Sequence, residues 1–424
     1  MYSLFVFRKS VCESVKMRLN KLLFTYACFI FKIRYVESSG ESVLCTKTVC
    51  DREVKCEPVS GICNHQNATL RGISFPSPTT CNCCDDYCLE YLHEGDSCSA
   101  GNPSSQPVTK MCGPGLACQT PSDADDDGIC SRMITDCTKR QDDYDERRMS
   151  GTLGSMELRQ ECDGEGFFES YKCIPGQSCY CVSKNGTRIF GETDFIGVPS
   201  FTMQCKCSRD YEEALLITGQ DLGPHQHFRC SADGSYDQLQ CIDDSCLCVN
   251  PFDGSPTYPE DPLTDISKIS SETLECYSDL RSGEYYKTCE REYLQALEKM
   301  NCLQKQTGFN EIFNYNFPRC DIDGTYKAVQ ENATHKMCVD KDKTILTVIL
   351  KTDPLAEKMD CKCLRATSII SSAEKPTCNK DTGNYEPIQC RRGVCRCVDS
   401  DGNQVCNKSP CEVVVEKKDK LICS

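Results

Sequence analysis

Cysteine is the residue type in this sequence with the most chemistry to offer, at 39 of 424 positions. A thiol can serve as nucleophile, metal ligand or crosslink. The tightest cluster, Cys81-Asn-Cys83-Cys84-Asp-Asp-Tyr-Cys88, could in principle bind zinc. A reducing cytosol does not use cysteine structurally at this density, whereas oxidising compartments do, so crosslinking is the expected role. Asp123-x-Asp125-x-Asp127-Gly128 opens like a calcium loop, yet Ile134 stands where a bidentate carboxylate is required, so it reads as an acidic solvated loop. His225 and His227 lie close to Cys230 and could form a metal pair, though a solvated loop pair is the plainer reading. No Gly-x-Ser-x-Gly elbow, His-Glu-x-x-His helix or phosphate loop occurs. The chain therefore reads as non-enzymatic, with no cofactor or metal expected.

The positions around these residues say what must hold them. Acidic side chains outnumber basic ones 63 to 48, for a net charge of -15, which argues against nucleic acid or anionic lipid as the main partner. Tryptophan is absent and aromatic residues make up only 8%, so no single large core is being assembled. Residues 1–44 read as a signal segment whose start could be Met17, with a basic opening, an apolar run from Leu22 to Phe31, and Ser38, Ser39 and Gly40 beyond. That run is too short to span a bilayer, and nothing later could, so the protein is expected to be secreted with no membrane partner. Asn67, Asn185, Asn332 and Asn407 are N-glycosylation acceptors on that route. Removing Cys12 and Cys28 with the signal leaves an odd number of cysteines, with Cys302, Cys406, Cys411 and Cys423 as the candidates for the odd one. A disulfide-linked dimer and a simple unpaired thiol are both compatible with this.

Four segments share one order: cysteine, charged stretch, cysteine, Asp-Gly-x-aromatic, cysteine, short loop, Cys-x-Cys-Val, cysteine. The first uses Cys137, Cys162, Cys173, Cys179, Cys181 and Cys205; the second uses Cys207, Cys230, Cys241, Cys246, Cys248 and Cys276. The third has Cys289, Cys320, Cys338 and Cys361, with Glu331 and Lys336 in the third and fourth cysteine places. The fourth has Cys363, Cys378, Cys390, Cys395 and Cys397, closing at Cys406 or Cys411. An Asp-Gly step permits a tight turn with positive φ, and the neighbouring aromatic ring can cover disulfides. Charged stretches such as Glu290-Arg-Glu-Tyr-Leu-Gln-Ala-Leu297 carry apolar residues at helical intervals and predict a short helix.

These residues resemble the thyroglobulin type-1 family, with its Cys-x-x-Asp-Gly-x-Tyr, Gln-Cys and Cys-Trp-Cys-Val hallmarks. The resemblance implies repeats at 137–205, 207–276, 289–361 (degenerate) and 363–411, followed by a tail at 412–424. The fold class implied is a set of small disulfide-rich modules, each a short helix plus a small antiparallel sheet, with little regular core. Family pairing implies Cys137–Cys162, Cys173–Cys179, Cys181–Cys205, Cys207–Cys230, Cys241–Cys246, Cys248–Cys276, Cys289–Cys320, Cys338–Cys361, Cys363–Cys378 and Cys390–Cys395. The joint replacement by Glu331 and Lys336 is what the loss of one such crosslink would look like. The family tryptophan is replaced by Tyr180, Leu247, Met337 and Arg396.

Residues 45–130 hold twelve cysteines, with a Cys-x-Cys-Cys cluster and Cys112-Gly-Pro-Gly-Leu116-Ala-Cys118. This module resembles the N-terminal domain of insulin-like growth factor binding proteins, although three residues rather than two separate Cys84 from Cys88. Two partners follow from the resemblances. Type-1 repeats imply inhibition of papain-like cysteine proteases by wedge loops, here Ile174-Pro175-Gly176-Gln177-Ser178 with Tyr180, and Ile242-Asp243-Asp244-Ser245 with Leu247. The unstapled third repeat should be the poorest inhibitor. The N-terminal module implies capture of an insulin-like or other extracellular peptide on Leu89, Tyr91, Leu92 and Leu116. A matrix role is a third possibility.

Overall fold

The structure is a computed structural model. It describes residues 72–76, 85–100, 110–122, 127–195, 203–219, 222–242, 245–257, 263–270, 273–277, 285–308, 316–406 and 408–423. The signal segment, Asn67, Cys81 to Cys84, Asp123, Asp125, Asp243, Asp244 and Asn407 lie outside them. Among the described residues no helix is long and apolar enough to cross a membrane.

Among its described residues the N-terminal module has two three-stranded sheets. β1 (Gly72–Pro76), β2 (Asp85–Leu92) and β4 (Lys110–Cys112) form one; β3 (Ser97–Ser99), β6 (Asp127–Arg132) and β5 (Leu116–Gln119) form the other. Disulfides Cys98–Cys118 and Cys112–Cys130 cross it.

Four units of one design follow. Each opens with a helix: α1 (Asp136–Met149), α2 (Lys206–Thr218), α3 (Thr288–Thr307) and α4 (Lys362–Ile369). The first cysteine of each unit is the second residue of its helix, where it is pinned to the second cysteine by Cys137–Cys162, Cys207–Cys230, Cys289–Cys320 and Cys363–Cys378. Thr135 and Thr138 cap α1 reciprocally, satisfying donors that the first turn leaves open. Gly219 and Gly308 end α2 and α3 in the left-handed conformation, which a residue without Cβ adopts freely.

An isolated antiparallel bridge then pairs the backbone of the second cysteine with that of the aromatic residue of the turn: Cys162 with Phe168, Cys230 with Tyr236, Cys320 with Tyr326, Cys378 with Tyr385. Next comes a three-stranded sheet. The sheets are β7 (Tyr171–Ile174), β8 (Ser178–Val182) and β9 (Arg188–Asp194); β10 (Leu239–Ile242), β11 (Ser245–Cys248) and β12 (Thr264–Asp265); β13 (Val329–Glu331), β14 (His335–Val339) and β15 (Ile345–Leu350); β16 (Ile388–Arg391), β17 (Val394–Cys397) and β18 (Glu412–Val414). Small clusters of disulfides and aromatic rings take the place of a continuous core, as with Phe168, Tyr180 and Val182 around Cys137. Small disulfide-rich modules are thus the fold class.

The end of the chain differs from expectation. Cys397 is bonded to Cys423, and Cys406 to Cys411. Residues 412–423 are therefore part of the fourth unit, contributing β18, a 3-10 turn and the buried Leu421. Cys406 and Cys411, five residues apart, close a small ring locally, which leaves the longer closure to Cys423. Three of the four candidates for an odd cysteine are thereby bonded within the chain. The fourth, Cys302, lies half-buried on α3.

Candidate functional site

The candidate contact region of each unit is the hairpin between its first two strands. In three units cysteines face each other across the hairpin and are bonded: Cys173 with Cys179, Cys241 with Cys246, Cys390 with Cys395. Their Cα atoms lie 3.9, 4.0 and 3.9 Å apart. In the third unit Glu331 and Lys336 occupy the same facing positions. Glu331 pairs with Lys351 at 3.1 Å, and Lys336 donates to the Ala356 carbonyl at 3.1 Å. Charge pairing at an exposed surface holds a hairpin far less firmly than a covalent bond.

How the units abut decides which hairpins are accessible. Units one and two share the run Cys205-Lys206-Cys207, and units three and four share Cys361-Lys362-Cys363. Cys205 and Cys361 both adopt left-handed φ, 55° and 62°, so the chain reverses between one closing disulfide and the next opening one without a linker. Two residues on, Arg209 and Arg365 play the same part. Arg209 donates to the Val182 carbonyl at 2.9 Å and faces Asp163 at 3.7 Å; Arg365 donates to the Val339 carbonyl at 3.3 Å and faces Asp321 at 3.4 Å. The turn glycines Gly234 and Gly383 lie flat on the Sγ atoms of Cys181 and Cys338 in the preceding unit, with no room for a Cβ. Cys-Lys-Cys-x-Arg is the signal for these junctions, and it was present twice in the sequence.

Units two and three meet through Arg229 and Glu290, paired at 2.5 Å with 2% and 3% of their side chains exposed. Arg229 also donates to the Tyr285 carbonyl at 2.9 Å and stacks 3.6 Å over the Tyr285 ring. Units one and four meet as well. Tyr180, 1% exposed, exchanges hydrogen bonds with Asn403 at 2.8 and 3.0 Å. Arg391 donates to the Pro175 carbonyl at 2.8 Å, and Ser155 to Glu412 at 2.5 Å. The four units thus close on one another, and a cleft of about 270 Å³ remains at the one-four seam beside Lys172, Gln177 and Arg396.

The first hairpin is consequently covered. Ile174 is 6% exposed and Ser178 fully buried, while Pro175, Gly176 and Gln177 are half-buried. A Cβ on Gly176 would stand 2.6 Å from the Arg391 guanidinium. The fourth hairpin is its counterpart, with Arg391 also paired to Glu374 at 2.8 Å. In the second hairpin Ile242 is half-buried and Ser245 exposed; Leu247 packs on the cluster of Tyr211, Tyr236, Val249 and Ile322. Leu263, 61% exposed, directly precedes β12 alongside it. The third hairpin tip is exposed, with the Asn332 Oδ1 accepting from the Thr334 and His335 amides.

In the N-terminal module Leu89, Tyr91 and Leu92 sit half-buried on β2 and Leu116 half-buried at the start of β5. His227 packs edge-on against Tyr211 at 5.0 Å, and its Nδ1 donates to the Phe228 carbonyl. Burial pushes its imidazole down to about 4, so it is a neutral packing ring rather than part of a solvated loop pair.

Residues 137–200 and 357–412 match the thyroglobulin type-1 repeat family model, and residues 35–139 match the fungal protease inhibitor model. The chain is similar to thyroglobulin of Sus scrofa, 29% identical over 117 residues, which is 26% of this chain and 4% of that protein. It is 22% identical to human thyroglobulin over 271 residues, 61% of this chain and 9% of the relative. With thyroglobulin of Bos taurus the identity is 24% over 254 residues, 58% and 8%. The chain spans less than a tenth of the length of these relatives. The matches fall on the first and fourth units, and the second and third repeat the same helix, bridge and hairpin. The twelve-cysteine module, likened above to a hormone-binding domain, is matched instead by the inhibitor model. The chain therefore carries thyroglobulin type-1 repeats, preceded by a module similar to the fungal protease inhibitor family.

Proposed function

We propose that this chain is a secreted inhibitor of papain-like cysteine proteases whose working head is the second repeat. The observation that carries this reading is the second hairpin itself, tied by Cys241–Cys246 with Ser245 exposed at its edge. A loop tied at both ends loses little entropy on binding and resists being drawn into a cleavable conformation. The first and fourth hairpins are engaged with each other, and the third has an ion pair and a glycosylation motif where the others have a crosslink. The similarity of the N-terminal module to a protease inhibitor family favours this reading over peptide capture on Leu89, Tyr91, Leu92 and Leu116.

The test is titration of the purified full chain against papain with a fluorogenic substrate, in parallel with Ser245→Arg. Tight inhibition by the parent, weakened about a hundredfold or more by the substitution, is expected from a hairpin that sits at the centre of a contact surface. Equal inhibition by both proteins would move the head elsewhere in the chain. No inhibition by either would reject the cysteine-protease reading.

A further inference from the structure

We infer that the fourth repeat is an internal cap on the first, occupying the same edge of the first hairpin that a protease would need. The inference rests on the inhibitor reading for its consequence, but not for its structural content. The first hairpin has the equipment of the second: a crosslink between facing cysteines and, in addition, a rigidifying Pro175. What differs is what lies against it. Arg391 reaches over the tip to the Pro175 carbonyl, Asn403 binds the Tyr180 hydroxyl, and Glu412 anchors the flank by accepting from both the amide and the hydroxyl of Ser155. Tyr180 occupies the position of the family tryptophan, and its ring lies between the Arg188 guanidinium, 4.3 Å away, and the fourth repeat.

The contact is complementary in chemistry as well as shape. A hairpin tip offers backbone carbonyls, and Arg391 meets one of them; the flank offers an amide and a hydroxyl, and Glu412 meets both. The seam sets these hydrogen bonds beside apolar side chains such as Ile174, Val398 and Val405, and it leaves a cleft of about 270 Å³ along its length. Water replaces each hydrogen bond of the seam that opening breaks, and the cleft already admits solvent between the two repeats. Repeat four and a protease cleft are therefore mutually exclusive partners of one surface. Opening the seam exposes the first hairpin, stiffened by Pro175, as a latent head beside the open one; the fourth hairpin, Arg391-Arg392-Gly393-Val394, has no such proline.

The experiment uses the full chain with Ser155→Asp, which sets a like charge against Glu412 from an exposed position, and separately with Arg391→Ala, which removes the reach over the tip. Two readouts are taken. Exchange of the Met156 amide, which donates across the seam to the Gln404 Oε1 at 2.7 Å, reports the seam without any protease, and is expected to rise about tenfold or more in both variants while the exchange of α2 stays unchanged. Active-site titration with papain is expected to rise from about one enzyme bound per chain to about two. Unchanged exchange at the Met156 amide in both variants overturns the cap. Faster exchange with stoichiometry still at one overturns the latent head. Absence of papain binding in parent and variants alike falls on the inhibitor reading, and the exchange data still decide the cap.

Discussion

The Arg229–Glu290 pair between the second and third repeats offers the sharpest energetic test of how the units are held together. Replacing Arg229 by Met leaves the Glu290 carboxylate 3% exposed, with the Lys287 amide at 2.7 Å as a remaining donor. Removing one partner of a buried pair costs about 3–5 kcal/mol, because the other charge stays desolvated. The surviving amide puts the cost here near the lower end, about 3 kcal/mol, and loss of the stacking on Tyr285 adds to it. The chain has several units, so a single global unfolding curve does not isolate this interface. The Cys230 amide, which donates across the seam to the Ile322 carbonyl at 3.0 Å, does isolate it. Its exchange is expected to quicken about a hundredfold in Arg229→Met, and most of that protection to return in Arg229→Met/Glu290→Gln, where no charge is left buried. An effect below about fivefold in the single variant, or a double variant as labile as the single, would refute the argument.

Gly234→Ala and Gly383→Ala should each destabilise their junction by about 3 kcal/mol or more, measured by exchange of the Glu192 and Asp360 amides, which donate across the junctions to the Ala232 carbonyl at 3.0 Å and the Asn384 Oδ1 at 2.8 Å, since positive φ of 85° and 71° combines with a Cβ driven into a disulfide sulfur. Glu331→Cys/Lys336→Cys should restore the missing staple, seen as a mass loss of two hydrogens, and stabilise the third repeat by about 2 kcal/mol for so small a ring. Burial, with Asp323 as the second cause, pushes Asp321 up to about 7, above its unfolded value of 3.8. The raised pKa means that the folded three-four junction takes up a proton, so this group's contribution is fully present below about pH 4 and fades as pH rises through about 7. Protection of the Asp360 amide, corrected for its intrinsic exchange rate, should therefore climb as pH falls from about 8 to about 5, and Asp321→Asn should flatten the profile. Protein secreted from eukaryotic cells should lose mass on glycosidase treatment in steps that Asn185→Gln and Asn332→Gln remove, both side chains being exposed.

Local order was legible because it is written within short stretches of chain. Each opening disulfide spans 15 to 31 residues, and the helix between its cysteines follows from the spacing of apolar residues in that same stretch. The facing of Glu331 and Lys336 was legible for a similar reason: two positions changed together where three other copies keep a pair of cysteines. The close of the fourth repeat was not. Three cysteines, Cys406, Cys411 and Cys423, followed Cys397, and sequence order alone does not rank them; the pairing depends on β18 adding to the sheet and carrying Cys423 back.

The sequence by itself determined the unit: its cysteine order, the segment of each copy in which the helix lies, and which turn carries a glycine because φ must be positive. Only the tertiary structure decided which faces of those units are left to bind anything. The bonds that cover the first hairpin join Pro175 to Arg391 and Ser155 to Glu412, partners separated by 216 and 257 residues. Such contacts depend on the relative orientation of folded repeats, set by left-handed turns at Cys205 and Cys361 and by the buried Arg229–Glu290 pair. Periodicity and spacing report what a residue needs from its near neighbours, and carry no record of which distant surface will meet it.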